Sequence, residues 1–203
     1  VPRTPEQYEA MRLATRVKIQ TAAMQLFVRQ GYGSTNVQHI ADQAGISTGL
    51  MYRHYKTKEQ LFEELLQFAI SGLETLIARF QTCDKPAEEL ARFADEVYSD
   101  LSSGDDLGHL MLLMTQSFFS AETADRKAAL MQINADLLQA TAALIVQGQR
   151  QGQIRNGNAL EMALYFFSSI QGLATMKVML GEGFSMPSRP LLTLVFKKEG
   201  ESS

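Results

Sequence analysis

Residues 35–58, TNVQHIADQAGISTGLMYRHYKTK, leave this chain few folding options. Val37, Ile40, Ala41 and Ala44 fall at i, i+3, i+4 and i+7, the apolar face of a short helix. Thr35 is placed to cap that helix, with Gln38 three residues on completing a capping box. Gly45 follows where the backbone must take a positive φ to turn sharply. Ser47 is suited to cap a second short helix, with Met51 facing inward and Tyr52 and Tyr55 packing along their ring edges. Small Ala41 and the Gly45 turn let the two helices cross closely, as in a helix–turn–helix. Helices this short do not persist alone in water. They need a scaffold, and such a scaffold presents the second helix to a groove of DNA.

The same stretch contains Gly45-Ile46-Ser47-Thr48-Gly49, which matches the G-x-S-x-G pattern of serine hydrolases. That pattern requires a strand before the serine and acid and histidine partners after it. Here an Ala-rich helical segment precedes it, and only His54 and His109 follow. Ser47 therefore reads as a cap.

The run Thr35, Val37, Ile40-Ala41, Ala44-Gly45-Ile46-Ser47, Gly49, Tyr52, His54-Tyr55 and Lys58 resembles the DNA-binding signature of the tetracycline-repressor (TetR) family. Ala22-Ala23, Leu26-Phe27 and Gly31-Tyr32 extend the likeness upstream, and Leu61-Phe62 closes it. Beyond about residue 65 the likeness is one of helical layout. The resemblance implies a DNA-binding set of Thr35, Asn36, Ser47, Thr48, Gly49, Leu50, Tyr52, Arg53, His54 and Lys58. Within it, Thr48, Gly49, Leu50 and Arg53 face base edges, and Tyr52, His54, Lys58, Thr35 and Asn36 face phosphate. Arg53 is a candidate for a bidentate contact to guanine, with another phosphate contact as the alternative.

Charge distribution agrees with a phosphate-facing end. The chain carries a net −3, yet residues 1–58 hold eight Lys/Arg against Glu6, Glu9 and Asp42, a net +5. The remainder therefore carries −8. Arg3, Arg12, Arg16 and Lys18 are candidates to reach neighbouring DNA backbone. Cys83 is the single cysteine, which excludes an intramolecular disulfide framework and suits an inert thiol in the cytoplasm. No apolar run is expected to span a membrane, and VPRTPEQYEA does not read as a secretory signal.

The whole chain reads as all-α, with a head over 1–56 and a body over 57–203. A first helix is expected over 7–30, burying Leu13, Val17, Ala23, Met24, Phe27 and Val28. Thr57 then caps a long helix over 58–81. Pro86 starts the next helix, SSGDD (102–106) is a loop, and apolar helices cover 107–119, 122–151 and 159–180. Asn158 caps the last of these, Gly181 ends it, and 189–198 forms a short final helix.

Nothing in the chain assembles a reaction centre. One Cys and three scattered His give no metal spacing, and no cofactor motif is present. Carboxylate pairs such as Glu63-Glu64 and Glu88-Glu89 read as exposed. The rival functions are an enzyme using a cavity in the body and a DNA-binding protein without an effector. The favoured reading is a repressor released from a palindromic operator by a small, largely apolar effector. Tyr98, His109, Met114, Gln116, Phe118, Phe119, Phe166 and Phe167 are its candidate ligand contacts, with Met111 and Met131 as further apolar walls. The resemblance also implies a homodimer through the last two helices. Phe167, Ile170, Gly172, Leu173, Met176, Leu180, Leu192 and Val195 are the candidate interface residues.

Overall fold

The computed structural model describes residues 4–104, 106–119 and 124–197. Among the described residues there are eight α-helices: α1 Pro5–Gln30, α2 Val37–Gln43, α3 Thr48–His54, α4 Lys58–Thr82, α5 Pro86–Ser103, α6 Asp106–Phe119, α7 Ala124–Arg150 and α8 Ala159–Leu180. Two 3-10 helices follow, Gly181–Gly183 and Arg189–Phe196. No strand occurs among the described residues, so the all-α expectation holds. Arg3 lies outside the described residues.

The chain divides into two compact units, Val1–Phe68 and Ala69–Ser203, and the division falls inside α4. In the first unit, Ile19, Ala23 and Phe27 of α1 are fully buried together with Ile40 and Ala41 of α2 and Met51 of α3. Leu61 and Leu65 close this core from α4. Phe27, Tyr32 and Phe62 form an aromatic triangle with ring centroids 4.7–5.5 Å apart. Leu13 and Val17, expected inside, are exposed. The early part of α1 has no core beside it, so apolar spacing alone misled the assignment. Its start is nonetheless built well. Thr4 accepts from the Gln7 N–H at 3.3 Å, and Gln7 accepts from the Thr4 N–H at 3.0 Å, a complete capping box.

In the second unit, Phe80, Leu90, Leu101, Leu144, Ile145, Ala163 and Phe166 lie at the centre of a core shared by α4, α5, α7 and α8. Phe93 meets Phe80, Phe166 and Phe167 at 5.6, 6.0 and 6.1 Å, and Phe166 meets Phe196 at 5.0 Å. Gly148 permits α7 to pass close to the following turn: a Cβ there would lie 2.5 Å from Ile154. Asn158 caps α8 through the Leu160 and Glu161 N–H groups. The short final helix expected over 189–198 is a 3-10 helix, Arg189–Phe196, with Pro190 in its first turn. Arg155 ties it down, with Nε donating to the Val195 carbonyl at 2.6 Å.

Two further expectations fail. Glu89 is 4% exposed, its carboxylate accepting from Arg79 Nε at 2.6 Å and paired with Arg92. Arg79 also reaches Glu96 at 2.9 Å. A buried acid is tolerated because two guanidinium groups replace its water. Secondly, α7 and the stretch Ala159–Gly183 are long and apolar enough to cross a membrane by length and composition. Buried Leu130, Leu137, Leu144 and Ile145 on α7 and Met162, Phe166 and Ile170 on α8 mark both as helices that contribute to the body's core.

Candidate nucleic-acid interface

The interface is built on two seven-residue helices. Asn36, not Thr35, caps α2, its Oδ1 accepting from the His39 N–H at 2.9 Å. Thr35 is 1% exposed and its hydroxyl donates to the Gly31 carbonyl at 2.9 Å. It anchors the turn before α2, so its side chain is not presented to phosphate. Gly45 takes φ +67°, and the Ile46 N–H donates back to the Ala41 carbonyl at 3.0 Å. Only a residue without a Cβ adopts that turn without strain. Ser47 caps α3 by accepting from the Leu50 N–H at 3.2 Å.

On α3, Met51 points into the core, while Gly49, Tyr52 and Arg53 are exposed and Thr48, Leu50 and His54 are half-buried. Tyr52 is thus free of the edge packing expected with Tyr55, which is itself 1% exposed. Thr48 Oγ1 donates to Gln38 Oε1 at 2.6 Å, and Gln38 Nε2 donates to Asp42 Oδ1 at 2.8 Å. Gln38 therefore joins α2 to the start of α3 on the exposed side. The sequence reading gave it only a capping role; its i, i+4 relation to Asp42 was the available signal. Gly33, Asn36, Gln38, Thr48, Tyr52 and Lys56 surround one shallow depression. Its lining places the α2 start and the α3 face on a common surface.

Lys58 is half-buried and already engaged. Its Nζ donates to the carbonyls of Tyr32 and Thr35 at 2.9 Å each and sits 4.4 Å from the Tyr32 ring centroid. Tyr32 in turn donates to Glu59 at 2.9 Å. Lys58 therefore stitches the start of α4 to the turn before α2. Lys58→Ala is expected to destabilise the head by about 1–3 kcal/mol, since two carbonyls lose a charged donor. Urea unfolding checks this; an unchanged midpoint would return Lys58 to a phosphate role alone.

Arg16 is likewise engaged, forked on Glu64, and Arg12 pairs with Glu9 at 2.8 Å. Lys18, Arg53 and Lys56 remain exposed. Protonation of His54 is disfavoured, first by burial and then by the nearby Arg12 and Arg16 charges. As a phosphate contact it offers a neutral N–H more readily than a charge.

The body residues singled out as ligand walls do not form one group. Phe166 is fully buried among Phe93, Phe167 and Phe196, which makes it a core side chain. Phe119 is 80% exposed and Met131 is also exposed, so neither is enclosed. His109 is buried on α6, and Tyr98, Met111, Met114, Gln116, Phe118 and Phe167 are half-buried. Of the interface candidates, Ile170 and Leu192 face their own protomer's core. Met176 and Leu180 are exposed, Gly172 has open space beside it, and Phe167, Leu173 and Val195 are half-buried.

A helical head carrying this motif, with a separate helical body, is the layout of a helix–turn–helix transcriptional regulator. Residues 19–65 match the model of bacterial regulatory proteins, tetR family. The chain is 31% identical over 119 residues to AcrR, an HTH-type transcriptional regulator of Shigella flexneri, covering 59% of this chain and 47% of that protein. It thus spans about half the length of AcrR. It is 27% identical over 168 residues to the fatty acid metabolism regulator protein of Bacillus subtilis (strain 168), covering 80% of this chain and 83% of that one. The fold matches the MbdR regulator of Azoarcus sp. CIB with a TM-score of 0.67 at 21% identity, over 90% of this chain and 97% of that one. The match over residues 19–65 and these likenesses support a TetR-family transcriptional regulator.

Proposed function

We propose that this chain is a dimeric, cytoplasmic repressor that binds a palindromic operator and is released from it by a small, largely apolar effector. The observation that carries the DNA half is the exposed face of Gly49, Tyr52 and Arg53 on α3. It is flanked by the exposed Asn36 and Gln38 of α2. On this reading the unit Val1–Phe68 meets DNA, and the unit Ala69–Ser203 holds the partner and the effector. Arg53 reads a base edge, Thr48, Gly49 and Leu50 shape the approach, and Asn36, Tyr52, His54 and Lys56 meet phosphate. Ser47 and Lys58 act by holding the motif in shape. Gln38, added by the structure, is close enough to this face to meet DNA.

The dimer half is supported by an unpartnered apolar face. Leu164, Tyr165, Met176, Met179 and Leu180 of α8 are exposed, as are Leu191 and Leu194 of the 3-10 helix beside it. Gly172 and Ser169 leave low ground within the stripe, which lets a second helix approach closely. Large apolar side chains exposed side by side in this way mark an interaction surface. Two heads then set half-sites about one helical turn apart, ~34–36 Å. For the effector, support comes from the half-buried Tyr98, Met111, Met114, Phe118 and Phe167, with His109 and Gln116 as polar groups among them. The similarity to a fatty acid metabolism regulator points in the same apolar direction. The body binds this ligand and carries out no reaction on it.

Selection of duplexes from a randomised pool, followed by footprinting, tests the DNA reading. Arg53→Ala is expected to relax preference at one position in each half-site, by about 1–3 kcal/mol against the best base. Equal weakening at every sequence would place Arg53 on phosphate instead. Release of the selected duplex by fatty acids or their thioesters, screened against unrelated metabolites, tests the effector.

A further inference from the structure

We propose that Glu64 is a positioning residue for DNA recognition, fixing the C-terminal end of α3 through Tyr55 while α1 holds its carboxylate in place. The proposal rests on the DNA-binding reading above. Two elements, α1 and the end of α3, converge on this one side chain of α4. Glu64 Oε1 accepts from Arg16 Nε at 3.0 Å, from Gln20 Nε2 at 2.7 Å and from the Tyr55 hydroxyl at 2.8 Å. Its second oxygen faces the other arm of the Arg16 guanidinium. Arg16 also lies over the Tyr55 ring, 5.3 Å from its centroid.

Tyr55 is the residue on which α3 ends, and its N–H donates to the Met51 carbonyl at 2.9 Å. Its ring is fully buried, so displacement of the hydroxyl would carry the end of the helix with it. Burial, and then the bond to Glu64, push ionisation of the phenol well above its usual range, so the hydroxyl remains a donor. At the other end of α3, Ser47 supplies the cap and Thr48 is bonded to Gln38. A helix of seven residues is therefore pinned at both termini, with Arg53 and Tyr52 between the pins. Base readout tolerates displacements of only about 0.5 Å in the groups that make it. Phosphate contacts by long flexible chains are far less demanding. Loosening the Tyr55 end should thus erode discrimination before it erodes affinity in general.

The test uses the full chain, a duplex enriched by the wild-type protein from a randomised pool, and a shuffled duplex of the same composition. Tyr55→Phe removes one hydroxyl and keeps the buried ring. Its expected effect is a loss of about tenfold in the selected-to-shuffled affinity ratio, the worth of one hydrogen bond to a charged group. Affinity for the shuffled duplex should stay within about twofold. Glu64→Gln should lower the ratio similarly, and the double variant should lose no more than the worse single variant, because both changes break the same link. A ratio unchanged in Tyr55→Phe, even with a lowered unfolding midpoint, would reduce Glu64 to a purely structural role and overturn the proposal. So would equal weakening on both duplexes. Tyr55→Phe decides the matter by itself if Glu64→Gln does not fold. A wild-type protein that enriches no duplex would instead overturn the DNA-binding reading, and this role with it.

Discussion

A chain carrying Tyr165→Glu together with Met176→Glu is expected to be monomeric and to bind its selected duplex on the order of 10³-fold more weakly than the parent, the scale of a lost second attachment. Both positions are exposed on α8, within the stripe that continues to Met179 and Leu180. A carboxylate there stays in water in the single protomer and costs the fold little. In a two-fold pair each glutamate would be buried against an apolar surface, and its symmetry mate would bring a like charge. The two effects should therefore separate. Helix content by circular dichroism should match the parent, while light scattering should report half the mass. A dimer that persists would move the interface to another surface. A monomer that still binds DNA with parental affinity would break the link between pairing and operator recognition.

Phe166→Ala is expected to cost the body about 3–5 kcal/mol, the range for removing a large aromatic from a packed core. Phe166 has no solvent exposure and touches the rings of Phe93, Phe167 and Phe196, so several elements would face the void at once. Relaxation into that space is limited because the neighbours are rigid rings rather than flexible chains. Urea denaturation of parent and variant, followed through the body's helical signal, measures the difference. A loss well under 1 kcal/mol would show that the site collapses easily and that Phe166 borders accommodating space.

The helices and the recognition motif were legible because they are written in local code. Ser47, Gly45, Asn158 and Gly181 act within a few residues of where they stand, and their roles follow from spacing alone. The cap of α2 was displaced by one residue, from Thr35 to Asn36, because both residue types can cap and only the burial of Thr35 separates them. Side-chain partnerships across distance were not legible. Glu64 reads as one of an exposed acidic pair, yet its partners Arg16 and Gln20 lie 48 and 44 positions away. Lys58 looked like a free cation for phosphate, and nothing local reveals the Tyr32 and Thr35 carbonyls it holds. Glu89 is half legible: Arg92 sits three residues on, whereas Arg79 comes from the preceding helix. In the body, Met and Phe mark apolar surroundings without saying whether a side chain packs, lines a cavity or faces a partner. Phe166, Met114 and Phe119 show how widely such residues end up scattered.

The unpartnered face of α8 also bears on how such a regulator responds to its own abundance. On the dimer reading, the species that occupies a promoter is made from two chains, each hiding the other's Tyr165, Met176 and Met179. While the protein is scarce, promoter occupancy then grows with the square of the amount synthesised rather than in proportion to it. A modest fall in expression would therefore release transcription sharply, giving the gene circuit a threshold before any effector arrives.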